Sequence, residues 1–505
     1  MRLSHSLALA RMLLRFFGRR VLRVGVLRST AVRVMVVLAL VALAGATVAA
    51  GYVFLKPMVT QDRVWSLLFE MSTVSVVLWV QIAFLFVKVL FINADGMLDL
   101  SHHLPLTNRE RAVAFLVYEA TMVAIVALAG FVSLLVSSVL LLGPAAVPQV
   151  LESIIFPMVL TYLALTVLYL LLGRALALVG LRRIGHVVLI LALFGLLLTY
   201  SSQLGALTAD VTEPFLDGDA GFVWVGALSF VARTYGSLVM LGVFLAAAAL
   251  LVVLALWLTP NENVQRARFV KVPVGRLLRP LLRPYDLCLI RSSQTWLAVA
   301  VSCATFFTLC LRPTVNPMWA LAVLSMGGLY QYAATAPLRM FVADRSTAWQ
   351  IYVRLARSQL ILFAVFALPA LAFLAAVDRD ALLESPLAVA GCLAGCLVAL
   401  CIGIVFPAEN DNPFSVFVGL SVAAAVLGLC GIAMGVLQLP PPVLLACVIV
   451  LMSTVIWYSV QGIQVNESRR RNEEVTHAGQ RRRGGRTADP GHGGREPALS
   501  DVRGG

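Results

Sequence analysis

The sequence predicts an all-α polytopic membrane protein, and three observations support that prediction. Hydrophobic residues make up 60% of the 505 residues, charged residues make up 13%, and the mean hydropathy is +0.92. Soluble domains have an apolar share of about 45–50%. The apolar residues also form long runs without the alternation of membrane β-strands, and a helix needs roughly 20 such residues to cross a bilayer. These features exclude an ordinary soluble globule.

The apolar runs predict about twelve transmembrane helices, judged by length, flanking charges and helix breakers. We place the first six at 34–55, 64–87, 112–142, 154–178, 185–200 and 235–258. The second six are at 296–311, 318–335, 360–377, 386–406, 414–437 and 443–460.

Arginine placement predicts the orientation, because cytoplasmic flanks retain basic residues. Arginines are frequent before the first span and after the last span, so both termini are expected in the cytoplasm and the protein in the cytoplasmic (inner) membrane. The loop around Glu409 and Asp411 is an exception, because it should be cytoplasmic yet carries no base. Basic flanks that face anionic lipid account for most of the net charge of +14, so no nucleic-acid partner is inferred.

The chain divides into two pseudo-repeated six-helix halves, each with an amphipathic lead-in. Arg11, Arg15, Arg19 and Arg23 recur every four residues, a spacing typical of a helix at the membrane interface. A cleaved signal peptide ending at Ala50 is the alternative, but 33 residues is long for the leader before its apolar core. The predicted units are an interfacial helix (1–33), a first half (34–258), a cytoplasmic linker with a second interfacial element (259–295), a second half (296–462) and a disordered basic tail (463–505).

Two basic segments, 249 positions apart, follow the second predicted span of each half. Ala94-Asp95 precedes the first segment and Ala343-Asp344 precedes the second. Each is predicted to be a short cytoplasmic helix that receives force from a soluble partner. The candidate contact residues are Leu104, Pro105, Leu106, Arg109 and Arg111 in the first segment, and Arg345, Trp349, Arg354, Leu355 and Arg357 in the second.

This arrangement resembles the permease of an ABC-2-type (type V) ABC exporter, in a double-length form with two fused halves. In that family an elbow helix begins each half, a coupling helix follows the second span, and a partly re-entrant segment precedes the sixth span. Residues 201–233 match that last element in the first half. The second half departs from the pattern, because Leu439-Pro440-Pro441-Pro442 leaves little room for a re-entrant helix.

The resemblance implies a separate ATPase subunit, in two copies, that carries ATP and Mg²⁺. The chain has no Walker A loop, and none of its three lysines, Lys56, Lys88 and Lys271, follows a glycine-rich stretch. The arginines of the two segments would pair with acidic groups of the ATPase, while Leu104, Leu106, Trp349 and Leu355 would fill its groove. The alternative is that these arginines only anchor the chain to lipid.

Ionisable residues in or near the spans are the other candidates, because charge in hydrocarbon is costly. Glu70, Lys88, Glu119 and Arg174 have such positions, and Glu70 is the candidate pathway residue unless it only bonds to a neighbouring helix. A twelve-span ion-coupled secondary transporter is therefore the main rival function, ahead of a membrane enzyme or a scaffold. No catalytic, cofactor or metal site is expected, since the eight cysteines have no histidine at ligand spacing. A lipid-like, peptide-like or cationic amphiphilic substrate would suit the apolar spans.

Overall fold

A computed structural model describes residues 3–21, 30–58, 62–91, 106–179, 185–217, 223–259, 282–311, 315–342, 346–407 and 441–484. These ranges are almost entirely helical and contain no strand. The α-helices are α1 (Leu3–Val21), α2 (Thr30–Leu55), α3 (Asp62–Phe91), α4 (Asn108–Leu142), α5 (Ala146–Val150), α6 (Phe156–Leu178), α7 (Gly185–Asp217), α8 (Ala227–Tyr235), α9 (Ser237–Leu258), α10 (Pro284–Arg291), α11 (Ser293–Cys310), α12 (Met326–Ala334), α13 (Ala336–Val342), α14 (Ala348–Val377), α15 (Arg379–Val405) and α16 (Pro441–Gly484).

Nine helical stretches in the described ranges are long and apolar enough to cross a membrane. One of them, Asn108–Leu178, contains two of the predicted spans. The eighth predicted span divides into a 3₁₀-helix (Pro317–Ser325) and α12, and the eleventh lies outside the described residues. The chain is thus an all-α, multi-pass membrane protein. The count of twelve spans and the cytoplasmic termini stay predictions.

Three helices extend beyond their predicted spans. Helix α7 continues past Tyr200 to Asp217, because Tyr200, Leu207 and Val211 are buried against α3. The Tyr200 hydroxyl donates a hydrogen bond of 2.9 Å to the Val74 carbonyl. Helix α14 begins at Ala348, twelve residues before the predicted span, and α16 reaches Gly484, within the region predicted as a tail. Residues 485–505 lie outside the described ranges.

The core of the first half lies between α1, α3, α4 and α6. Phe84 and Tyr162 meet edge to face there, with ring centroids 6.0 Å apart. Helix α2 is joined to α4 by serine hydroxyls, since Ser133 donates to the Thr47 carbonyl at 2.8 Å and Ser137 donates to the Val48 carbonyl at 3.1 Å. Side-chain hydrogen bonds of this kind add to van der Waals packing in membrane helices.

The segment between α4 and α6 interrupts regular helix twice. Helix α4 ends at Gly143, whose φ of 61° is readily adopted by glycine. A π-helical turn (Leu151–Ile155) then precedes α6. Within this turn, the Ser153 carbonyl accepts a hydrogen bond of 3.0 Å from the Thr73 hydroxyl of α3. The side chain from α3 thereby satisfies a polar backbone group in a region where α-helical bonding is irregular.

The second half contains a 3₁₀-helix where the first half has a regular span. Ser302 donates to the Ala320 carbonyl at 3.0 Å, and Gln359 donates to the Leu324 carbonyl at 2.9 Å. These bonds support a nine-residue 3₁₀-helix, although such helices are usually shorter. Beyond it, α12 packs closely on α15, and a Cβ atom at Gly403 would lie 2.6 Å from the backbone oxygens of Gly328 and Leu329.

Corresponding helix pairs contact each other in both halves. The lead-in helix packs on the helix of the third predicted span, as α1 on α4 and as α10 on α14. In the first half α3 packs on α6, and α6 packs on α9. In the second half the 3₁₀-helix and α12 pack on α15, and α15 packs on α16. In both halves these are the second, fourth and sixth predicted spans. This pattern is what a repeat of two six-span halves would produce.

Candidate functional site

The first predicted coupling segment leads directly into α4. Thr107 caps this helix, because its hydroxyl accepts a hydrogen bond of 3.3 Å from the Glu110 amide. The Glu110 carboxylate accepts a bond of 3.1 Å from the Thr107 amide in return. This reciprocal capping box satisfies two backbone donors that a helix start otherwise leaves unpaired. The helix start is therefore fixed at Asn108.

The contact residues predicted in the first segment have different environments. Arg109 is exposed in the first turn of α4. Leu106 is partly buried against the first-half core. The Arg111 guanidinium donates a hydrogen bond of 3.1 Å to the Leu106 carbonyl. Leu104 and Pro105 lie outside the described residues. Of the described three, Arg109 is therefore the one best placed to meet a partner.

The second predicted coupling segment also begins with a threonine cap. Thr347 and Gln350 form a capping box in which both hydrogen bonds measure 3.3 Å. Trp349 follows with 54% of its surface exposed, and its ring centroid lies 5.8 Å from that of Tyr352. Arg354 is partly exposed one turn further along. An aromatic and basic surface is thus held on the first two turns of α14.

The remaining residues predicted in the second segment differ in exposure. Leu355 is fully buried in a cluster formed by α10, α12, α14, α15 and α16. The Arg357 guanidinium lies 4.0 Å from the Asp286 carboxylate of α10. Arg345 lies outside the described residues. Leu355 therefore contributes to internal packing, whereas Arg357 lies beside Asp286 with 35% of its side chain exposed.

The two helix starts correspond at a different offset from the one found in the sequence. The capping residues Thr107 and Thr347 are 240 positions apart, whereas the sequence comparison paired segments 249 positions apart. The offset of 249 aligns the two Ala-Asp pairs, and so it places the start of α4 opposite the third turn of α14. The threonine-x-x-acid or threonine-x-x-glutamine pattern would have found the helix starts from sequence.

A polar cluster joins α14 to its neighbours behind the second segment. The Ser358 hydroxyl donates a hydrogen bond of 2.5 Å to Asp286, whose carboxylate also accepts a bond of 2.9 Å from the Arg283 amide. Gln331 of α12 donates a bond of 2.9 Å to the Leu355 carbonyl. We name Asp286, Ser358, Gln331 and Gln359 the polar clasp. It links α14 to α10, α12 and the 3₁₀-helix.

Two charged pairs join helices, and each connects residues far apart in sequence. The Lys88 ammonium of α3 donates hydrogen bonds of 2.8 and 2.7 Å to the two carboxylate oxygens of Glu119 in α4. The Arg339 guanidinium bonds to Glu467 of α16 at 2.9 Å and stacks on the Tyr332 ring, 3.6 Å from its centroid. Burial makes such charges costly unless they are paired, so both pairs are expected to hold helices together.

Glu70, the predicted pathway residue, also has a basic partner. Its carboxylate forms a salt bridge with Arg233 of the short helix α8. Burial lowers the pKa of the Arg233 guanidinium below its usual value, while the adjacent carboxylate favours the charged form. The Glu70–Arg233 salt bridge joins α8 to α3. Arg174 differs from these pairs, because its guanidinium donates to the Trp257 carbonyl at 2.8 Å.

Histidine, cysteine and acidic side chains in the described ranges form no group of three or more that could hold a metal ion. Burial raises the pKa of the Cys288 thiol, which disfavours the reactive thiolate at neutral pH.

The chain matches no protein-family model, no curated protein and no solved structure in the three comparisons made with known proteins.

Proposed function

We propose that this chain is the transmembrane permease subunit of an ABC export system, in which a separate ATPase hydrolyses ATP. The observation that supports this proposal best is the pair of capped helix starts at Thr107 and Thr347. Each start presents exposed or partly exposed basic residues, and Trp349 adds an exposed apolar surface to the second. Aromatic and arginine side chains are the residue types that contribute most at protein interfaces.

The helices behind these starts provide a route for force. Helix α4 has 35 residues and α14 has 30, so they extend about 52 and 45 Å at a rise of 1.5 Å per residue. In the proposed mechanism, closure of two ATPase subunits on the cytoplasmic side displaces both starts. The displacement travels along α4 and α14, rocks the two halves and opens a path to the outer face.

Exposure determines which substitutions test this mechanism. Arg109→Glu and Arg354→Glu reverse charge at the two helix starts, and Trp349→Ala removes the apolar contact. Arg357 is unsuitable, because its change would also disturb the contact with Asp286. Arg379→Glu is the matched control, since Arg379 is exposed at the start of α15, beyond the far end of α14.

The test is copurification of the tagged chain from native membranes, followed by labelling with a photoreactive ATP analogue. We expect a labelled ATPase with the unaltered chain and with Arg379→Glu, and a loss of about tenfold or more with the combined Arg109, Trp349 and Arg354 variant. Absence of any labelled ATPase, or equal recovery with the combined variant, would contradict the proposal.

An ion-coupled secondary transporter is the second candidate, and the Lys88–Glu119 pair favours it. Paired charges at membrane depth can form part of an ion or proton path. Transport measured in vesicles separates the two functions. Transport that needs no ATP, stops when a protonophore is added and is lost in the Glu119→Gln variant would support the ion-coupled transporter. The same result would contradict the ABC mechanism.

A further inference from the structure

One face of helix α1 is buried against the rest of the protein. Ser6, Leu9, Ala10 and Leu13 are buried, and the helix packs on α4. Phe17 extends this contact, because its ring meets the Tyr118 ring edge to face with centroids 6.4 Å apart. The burial of this face fixes the rotation of α1 about its own axis. It therefore also fixes which side chains the helix presents outward.

The outward face carries a column of guanidinium groups. Arg11, Arg15 and Arg19 are exposed at four-residue spacing, so successive side chains lie about 6 Å apart along the helix. Together with Ala8, Met12 and Phe16 they line an open cavity of about 470 Å³. In the described part of the chain, no acidic side chain forms a salt bridge with these three arginines. We name this surface the arginine groove.

The position of α1 along α4 places the groove near the membrane boundary. Helix α4 has 35 residues and is about 52 Å long, so it exceeds a hydrocarbon core of about 30 Å by roughly 20 Å. An even division of this excess puts the boundary roughly seven residues from each helix end. Ala114 and Tyr118, which belong to the same buried cluster as α1, lie at this depth in the Asn108 end of α4. Lipid phosphates lie just outside this boundary, in the headgroup region.

We propose that the arginine groove binds an anionic phospholipid. The guanidinium groups would hold the phosphodiester through charge-assisted hydrogen bonds, and exposed apolar side chains, Met12 and Leu7, would contact the adjoining acyl region. A net negative headgroup fits better than a zwitterionic one, because a zwitterionic lipid supplies its own cation. The apolar side chains favour a lipid over free phosphate. This binding is independent of any ATPase.

The experiment is native mass spectrometry of the full-length chain in detergent, titrated with phosphatidylglycerol or phosphatidylcholine. The test variant is Arg11→Gln/Arg15→Gln/Arg19→Gln. The control, Lys56→Gln/Arg291→Gln/Arg379→Gln, removes the same number of positive charges from exposed positions elsewhere. A lysine variant at positions 11, 15 and 19 keeps the charge and tests the bidentate geometry. Thermal unfolding of each variant verifies that it is folded.

We expect phosphatidylglycerol to bind more tightly than phosphatidylcholine, and the glutamine variant to bind it roughly 100-fold more weakly. The control should bind it normally, and the lysine variant should lose less than the glutamine variant. Equal binding of the two lipids, or an equal loss in variant and control, would overturn the proposal. Displacement of the lipid by millimolar inorganic phosphate would also overturn it, because the groove would then be a site for free phosphate.

Discussion

The two lead-in helices make apolar contacts with equivalent partners, and the contact of the second also includes a hydrogen-bonded carboxylate. Helix α1 packs on α4 through apolar side chains, of which Leu13 is almost fully buried. Helix α10 packs on α14 through Tyr285, which shares a buried cluster with Leu355, and also through the Asp286 carboxylate, which accepts a bond from Ser358. Apolar packing tolerates small shifts, whereas hydrogen bonds depend on distance and angle. The same helix arrangement is therefore expected to be adjustable in the first half and fixed in register in the second.

The largest difference between the halves is expected from their charged pairs. Arg339→Met should lower the free energy of unfolding by about 3–5 kcal/mol, because it leaves Glu467 partly buried without its cation. Lys88→Met should cost about 2 kcal/mol, since Glu119 is more exposed and loses only the Lys88 hydrogen bonds. Equilibrium unfolding in mixed micelles measures both losses. Arg379→Met, at an exposed position, is the control, and equal losses for the two pairs would remove this distinction between the halves.

The lead-in contacts provide the next test. Leu13→Ala should cost about 2–3 kcal/mol through lost packing, while Asp286→Asn should cost about 1.5 kcal/mol through weaker hydrogen bonds. Hydrogen exchange should show faster exchange in α1 for the first variant and in α10 for the second. If Asp286→Asn leaves α10 protected, the polar clasp does not hold that helix.

Close helix approaches should also differ between the halves. Gly403→Ala should cost about 2 kcal/mol, because the added methyl group meets backbone oxygens that cannot rotate away. Gly51→Ala meets the Ser133 hydroxyl, which can rotate, so its net effect on unfolding free energy should be below about 1 kcal/mol. Gly395→Ala, in the same helix as Gly403 but with open space around it, should be neutral or stabilising by up to about 1 kcal/mol. Equal losses at positions 403 and 51 would contradict this account.

The smallest effects are expected at the helix caps, where the halves are alike. Thr107→Ala and Thr347→Ala should each cost about 1 kcal/mol, because each removes a side-chain acceptor from a first-turn amide. Hydrogen exchange at the amides of residues 110 and 350 would report the local fraying. Serine at either position should restore protection, and its failure to do so would point to a role of the threonine methyl group.

The sequence was sufficient to predict the membrane class and most span positions, because an apolar run of adequate length has few alternatives in lipid. It was less informative where polar residues continue a helix. Residues 201–217 contain serines, threonines and acids and lie beyond the end of the predicted fifth span, yet Leu207 and Val211 are buried beside Tyr200 and continue α7. Tertiary packing here outweighs local composition.

The candidate site could be predicted only in part. Thr107 and Thr347 lie in local capping patterns, so sequence could have located both helix starts. The partners Lys88 and Glu119 are 31 positions apart, and Arg339 and Glu467 are 128 positions apart. Such pairings depend on how the helices pack, which a single sequence does not reveal. The burial of Leu355 and the contact of Arg357 with Asp286 follow from the same packing.

The π-helical turn Leu151–Ile155 sets the rotation of α5, which precedes it, relative to α6, which follows it. A π turn contains one more residue than an α turn, and one residue corresponds to about 100° of rotation about the axis. Glu152 can thus accept a hydrogen bond of 3.2 Å from Ser237 at the start of α9 while Ser153 accepts one from Thr73 on α3. Deleting one residue here would rotate the helix on the N-terminal side by about 100° relative to α6, so its side chains would face different neighbours.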